Sequence, residues 1–150
     1  MKQLLFLDMD GTIDDLYGVD GWLEYINAED VTPYLEAEPI VDYKFIDILL
    51  DKFDVYVVTM TPPNSRPEFD IQVGIAKHRW IKDHFPRLDE RLIVIRHNDN
   101  KNLREDTVVV YKTCDTLPIP DENSAIIDDN EKFRNSFVGT TKYDENMQKR

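Results

Sequence analysis

The apolar run Leu4-Leu5-Phe6-Leu7 empties directly into Asp8-Met9-Asp10-Gly11-Thr12. That junction constrains the fold more than any other part of the chain. Four consecutive apolar residues read as a strand buried on both faces, the pattern of a parallel sheet. Side chains two apart on a strand share a face, so Asp8 and Asp10 at its C-terminal end can address one ligand. Gly11 lets the backbone turn sharply just beyond them. In open α/β sheets, ligands bind at the carboxyl ends of the strands. Paired acids at that place suit a hard cation together with nucleophilic and acid–base work on a phosphate.

The rest of the chain alternates apolar runs with helical patterns, which predicts an α/β fold with a parallel central sheet in one domain of 150 residues. The first strand spans about Gln3 to Leu7. The stretch from about residue 13 to 41 is irregular and aromatic; Asp20 is placed to cap a helix over Gly21 to Asn27, and Thr32-Pro33 opens a second one. Asp42 precedes Phe45, Ile46, Leu49, Leu50 and Phe53, whose spacing predicts an amphipathic helix. A second strand covers Val55 to Val58 and closes on Thr59. Pro62 to Pro67 reads as a loop, and Val73, Ala76 and Trp80 mark the apolar side of a helix running to about His84, stopped by Pro86. A third strand, Leu92 to Ile95, leads through a polar exit to Lys101. Thr107 to Tyr111 is β-rich and reads as a hairpin appended to the core. A fourth strand, Ser124 to Ile127, ends in Asp128-Asp129-Asn130, and Phe133, Phe137 and Val138 mark a final helix or strand. Lys142 to Arg150 reads as a polar, frayed tail.

Each predicted strand therefore carries chemistry at its exit: Asp8 and Asp10, then Thr59, then Lys101, then Asp128 and Asp129. Parallel, adjacent strands would bring all four exits to one edge. A cation held by Asp8 and by Asp128 or Asp129 would then sit beside a hydroxyl and an ammonium, an inventory that fits a phosphate group. Two adjacent acids after a buried strand repel one another without a cation, which favours a metal over a helix cap for Asp128 and Asp129.

In these residues the chain resembles the haloacid dehalogenase superfamily of phosphohydrolases. The motifs match in order: Asp8-Met9-Asp10-Gly11-Thr12 as Asp-x-Asp-x-Thr, Thr59 as the hydroxyl closing a hydrophobic strand, Lys101 as the lysine, and Asp128-Asp129 as the acidic pair. A narrower resemblance, to the 5′(3′)-deoxyribonucleotidase branch, rests on Thr59 with its proline-rich loop, on 76–81 and 83–86, on Lys101-Asn102-Leu103 and on 126–130. The resemblance implies a Rossmann-like three-layer α/β/α fold with a small cap insertion at about 13–41. It further implies a Mg²⁺-dependent phosphomonoesterase that works through an aspartyl-phosphate. In that scheme Asp8 is the nucleophile and Asp10 the general acid–base. Thr59 and Lys101 hold the phosphate, while Asp8, the Asp10 carbonyl and Asp128 or Asp129 hold Mg²⁺. Thr12 braces the loop. A nucleoside monophosphate is the expected substrate. The alternatives are another small phosphate ester, such as a sugar phosphate, and a catalytically silent binding module on the same fold.

Two departures from that branch stand out. The interval from Lys101 to Asp128 is long and holds the β-rich run, so Lys112 competes for the lysine role. The cap-like segment is also short. Within it, Trp22, Tyr25 and Tyr34 read either as a stacking surface for a planar group or as a small local core. Trp80 reads as core and Lys77 as a solvent-facing lysine; His78, His84 and His97 show no metal-ligand spacing and carry no assigned chemistry. The net charge of −12 disfavours a polynucleotide or an anionic membrane as partner. No stretch is long enough to span a bilayer. The single cysteine, Cys114, reads as an apolar filler and fits a reducing, cytoplasmic setting. Nothing in the sequence fixes the oligomeric state.

Overall fold

The computed structural model describes residues 1–147. Six strands form one sheet: β1 (Gln3–Leu7), β2 (Phe53–Met60), β3 (Leu92–Ile95), β4 (Val109–Lys112), β5 (Ala125–Ile127) and β6 (Thr141–Tyr143). Their order across the sheet is β4-β3-β2-β1-β5-β6. All neighbours are parallel except β3 and β4. The fold is thus α/β with a mostly parallel sheet. The β-rich run forms a hairpin with β3: β4 starts at Val109, pairs antiparallel with β3 and extends the central sheet at its edge. β2 also runs longer than the apolar run alone indicates, from Phe53 to Met60.

β1 lies between β2 and β5, pairing Leu7 with Val57 on one side and with Ile127 on the other. The chain leaves β1 toward β2 and β3, then returns to the far side at β5. This reversal opens a crevice at the carboxyl end of β1, the switch point where open α/β sheets take ligands.

The two faces of the sheet are covered differently. Leu5, Leu7, Val55, Val57, Leu92 and Val94 pack beneath α3 (Tyr43–Lys52) and α4 (Pro67–His84), against Ile46, Leu49, Trp80 and Ile81. Trp80 is core, as its place in the stripe predicts, and its Nε1 donates to the Ala37 carbonyl at 2.8 Å. On the opposite face Phe6, Val58, Ile93, Ile95 and Ile126 meet Leu103, Cys114, Leu117 and Phe137, all from non-helical segments. A second helical layer, as the three-layer expectation had it, is therefore replaced largely by loops. The intervals 96–108 and 113–124 hold too few apolar residues at helical spacing to form one.

Asp42 caps α3 as predicted, accepting from the Phe45 N–H at 3.0 Å. The Asp20 expectation fails: α1 (Trp22–Asn27) starts from Gly21, at φ +74°, with no side-chain cap. This left-handed residue, which Gly adopts without a Cβ penalty, makes the entry turn. α2 (Thr32–Glu36) carries Pro33 in its first turn. The 13–41 segment docks on α4, where Leu16 and Tyr34 pack with Phe69, Val73 and Ala76. After β5, both predicted alternatives occur: α5 (Glu131–Ser136), then β6. The supposed tail is ordered through Thr141–Tyr143 because β6 pairs with β5; its residues 148–150 lie outside the described residues. No helix among the described residues is long and apolar enough to cross a membrane.

Gly74 marks the closest approach of α4 to β4. A Cβ there would lie 2.5 Å from Tyr111 Cβ and 2.9 Å from its Cγ. Gly→Ala inside an exposed helix ordinarily stabilises by about 1 kcal/mol. Here a rigid methyl must displace β4, so Gly74→Ala is expected to destabilise by about 1–3 kcal/mol, measured by urea unfolding. A rise in stability would contradict the packing of β4 against α4.

Candidate active site

β1 delivers Asp8, whose N–H donates to the Ile127 carbonyl at 2.8 Å, so the nucleophile candidate is fixed at the last rung of the sheet. The chain then folds back tightly, with the N–H groups of Thr12, Ile13 and Asp14 all donating to the Met9 carbonyl. Gly11 sits at φ +83°, and a Cβ at that position would strike the Asp129 carboxylate and the Tyr17 ring. The turn therefore requires glycine on two counts, conformation and space. Thr12 is buried; its hydroxyl donates to Asp8 Oδ2 at 2.8 Å and accepts from the Asp129 N–H at 3.2 Å. One hydroxyl thus ties the β1 exit to the β5 exit.

Lys101 enters from the loop-covered face. Its Nζ, 3% exposed, donates to Asp8 Oδ1 at 2.5 Å and to Asp128 Oδ2 at 2.7 Å. Lys112 is elsewhere: on β4 it stands opposite Ile93, near the start of β3, and its Nζ donates to the Cys114 and Asp115 carbonyls. Only Lys101 of the two reaches the carboxylates.

A second ammonium comes from the helical face. Lys77 of α4 is wholly buried, contrary to the solvent-facing reading. Its Nζ donates to Asp10 Oδ2 at 2.9 Å, to Thr59 Oγ1 at 2.5 Å and to the Met60 carbonyl at 2.9 Å. The sequence holds a signal for this: Lys77 is four residues after Val73 and three before Trp80, on the buried stripe. Asp14 was also passed over. It is 3% exposed, and Asp10 Oδ1 is buried with no ordinary donor. Burial, then the Asp10 charge, push the Asp14 carboxyl well above its usual range. Thr61, two residues past Thr59 on the same side of the chain, adds a buried hydroxyl with no partner among the described residues.

The candidate residues Asp8, Asp10, Thr59, Lys101, Asp128 and Asp129 all line one cavity of about 550 Å³. Its far wall is apolar and aromatic, formed by Leu16, Trp22, Leu23, Ile26, Tyr34 and Phe69. Tyr17 and Trp22 meet edge to face there, with centroids 5.0 Å apart. Trp22 faces the cavity, Tyr34 belongs to the local core and to the cavity wall, and Tyr25 is exposed.

The electrostatics are dominated by crowded acids. Burial would raise the Asp8 carboxyl, but the Lys101 ammonium and hydrogen bonds from Asp129, Lys101 and Thr12 hold it below its ordinary value. Asp128 is pushed up to about 6 by burial and by the Asp8 charge. Asp129 is pushed up to about 9 by burial, by a hydrogen bond to Asp8 and by the charges of Asp8 and Asp128. Lys101, in turn, is raised against its own burial by Asp8 and Asp128. Asp8, Asp128 and Asp129 each offer a carboxylate oxygen within 4.8 Å of the others. This all-oxygen, anionic, partly enclosed set fits a hard divalent cation such as Mg²⁺, which would supply the charge that a proton on Asp129 now supplies.

A scan against protein-family models matches none, and a search of curated proteins gives no significant match.

The shifted carboxyls fix the sign of the pH response in the metal-free chain. Unfolded, Asp128 and Asp129 ionise near 3.8; folded, they hold protons up to about 6 and about 9. The folded state binds more protons over that window, so the stability these groups contribute is full below their unfolded pKa and is lost as pH rises through 6 and 9. Asp8, shifted down, acts in the opposite sense only at more acid pH. In EDTA the midpoint of thermal unfolding is expected to fall from about pH 5 to about pH 8, and Asp129→Asn to flatten that fall. An equal slope in wild type and variant would contradict the assigned proton on Asp129.

Proposed function

We propose that the chain is a Mg²⁺-dependent phosphomonoesterase of haloacid dehalogenase type that forms an aspartyl-phosphate on Asp8, with a nucleoside monophosphate as preferred substrate. The observation that carries this reading is convergence. Residues from four separate strand exits, Asp8, Thr59, Lys101 and Asp128, line one cavity at the switch point of the sheet. The lone buried Cys114 is compatible with action in a reducing, cytoplasmic compartment.

In this mechanism an Asp8 carboxylate oxygen forms a bond to phosphorus as the ester oxygen departs. Asp10 gives that oxygen a proton, then takes one from the water that attacks phosphorus and frees Asp8. Lys77 fixes Asp10 Oδ2 beside Thr59. Lys101 and the Thr59 hydroxyl face the phosphoryl oxygens, where transition-state charge accumulates. Mg²⁺, held by Asp8, the Asp10 carbonyl and Asp128 or Asp129, would neutralise the same oxygens and the carboxylates around them. Tyr17, Trp22, Ile26 and Phe69 give the leaving group an apolar wall. A planar base buries more surface against such a wall than a bare sugar does, which favours a nucleotide over a sugar phosphate.

Phosphate release with Mg²⁺ should therefore be found on a panel of esters, strongest with nucleoside monophosphates. Asp8→Asn is expected to lower turnover roughly 10³-fold or more with the fold retained. Lys101→Met should lower kcat by roughly 10²–10³, and Lys112→Met should leave it near wild type. A fully active Asp8→Asn protein would refute the nucleophile, and release from no ester would leave the silent binding module as the correct reading.

A further inference from the structure

Of the long excursion between β3 and β4, the proposed reaction uses only Lys101 and leaves the rest of the loop unassigned. It is a built loop. The Arg96 N–H donates to the Val108 carbonyl at 3.0 Å and closes its base. The Asn102 side chain pins it to the α5 end, donating to the Ser136 carbonyl at 2.9 Å and accepting from the Val138 N–H at 2.8 Å. The Arg104 N–H donates to Thr107 Oγ1 at 2.8 Å.

The loop encloses a cavity of about 400 Å³ lined by Arg96, His97, Asn98, Asn100, Arg104 and Asp106, among others. On a chain of net charge −12, a cavity with two arginines, a histidine and one acid runs against the prevailing surface. Arg104 makes no ion pair among the described residues. Arg96 is held from behind: its Nε lies 3.6 Å from Oδ2 of the buried Asp70, and no partner is recorded for its terminal nitrogens among those residues. The two asparagines are polarised in one sense. Asn98 Oδ1 accepts from the Asp99 N–H at 2.8 Å and Asn100 Oδ1 from the Asn102 N–H at 3.0 Å. Their acceptor ends are committed, so each offers its amide N–H groups, which are donors only. Guanidinium groups beside fixed amide donors form the chemistry that binds tetrahedral or planar oxyanions.

This cavity adjoins the reaction cavity. His97 lines both. Asp70, which holds Arg96, also accepts from the Ser65 hydroxyl, and Ser65 lines the reaction cavity. We propose that the 96–108 loop forms a second, oxyanion-binding subsite, for a phosphate group, beside the reaction cavity. The phosphate is either a second group of the substrate itself or a separate small effector.

The binding experiment is independent of catalysis. Inorganic phosphate is titrated into the metal-free Asp8→Asn protein while the His97 ring and arginine Nε signals are followed by NMR. Saturable shifts at His97, Arg96 and Arg104 are expected, with affinity lowered roughly tenfold or more by Arg104→Gln in the same background. Arg104 is exposed, so this variant should fold; Arg96→Gln gives a second reading. Shifts that do not saturate, or an affinity unchanged by both variants, would overturn the subsite, whatever the outcome of the phosphatase assay. A second arm rests on the phosphatase reading and separates the two sources. Arg104→Gln in the Mg²⁺-loaded, otherwise native chain should raise KM several-fold for an ester with a second phosphate and leave the simple monophosphate unchanged, if the anion is the substrate's own. If phosphate binding is lost but neither KM moves, the anion is a separate effector.

Discussion

Two buried ammonium groups set into a ring of carboxyls hold the carboxyl edge of this sheet together. Lys101 lies between Asp8 and Asp128, and Lys77 between Asp10 and Thr59. A buried acid loses the hydration that makes its charge tolerable, and removing one partner from such a set leaves an uncompensated charge inside the protein. Asp8, Asp10, Asp14, Asp128 and Asp129 bring five carboxyls against these two ammonium groups. The excess of negative charge pushes the Asp14 and Asp129 carboxyls upward, toward their protonated forms. A divalent cation would offset that excess better, which is why the metal and the chemistry are parts of one argument.

The sheet imposes this crowding. With β1 flanked by β2 and β5, the exits of three parallel strands lie side by side. Alternation along the strands then sorts the partners by face. Lys77 comes from α4 over the helical face and meets Thr59. Lys101 comes from the loop-covered face and meets Asp8 and Asp128. Thr12 joins the β1 and β5 exits through Asp8 and Asp129. The 13–41 segment supplies most of the apolar wall opposite, so the charged floor and the apolar wall come from separate parts of the chain.

Much of this was legible in the residues. Leu5 to Leu7 and Leu92 to Ile95 are buried on both faces, which is why these apolar runs read as strands, and their exits carry the acids and Lys101. Asp42 announced its helix because a cap is a local interaction. What escaped was long-range. Lys77 looked like any surface lysine until its place between Val73 and Trp80 was tied to a carboxylate 67 residues away. Asp14 carried no sequence signal, since its upward shift depends on burial that no local pattern shows. β4 was legible as a β-rich hairpin strand, but its seat on α4 was not, because the Gly74–Tyr111 contact that fits it there spans 37 positions. The second layer was expected from resemblance, whereas the intervals that fill it are short of apolar helical spacing.

The proposed reaction turns on Asp8 itself taking the phosphoryl group. The direct measurement is to quench the Mg²⁺-loaded protein during turnover of a nucleoside monophosphate, reduce it with borohydride and map the peptides by mass spectrometry. An acyl-phosphate is reduced to an alcohol, whereas a free carboxylate is untouched. The reduced side chain is expected at position 8 and nowhere else among the cavity carboxyls. Phosphate release with Asp8 recovered unmodified, and reduction at another residue or at none, would contradict it.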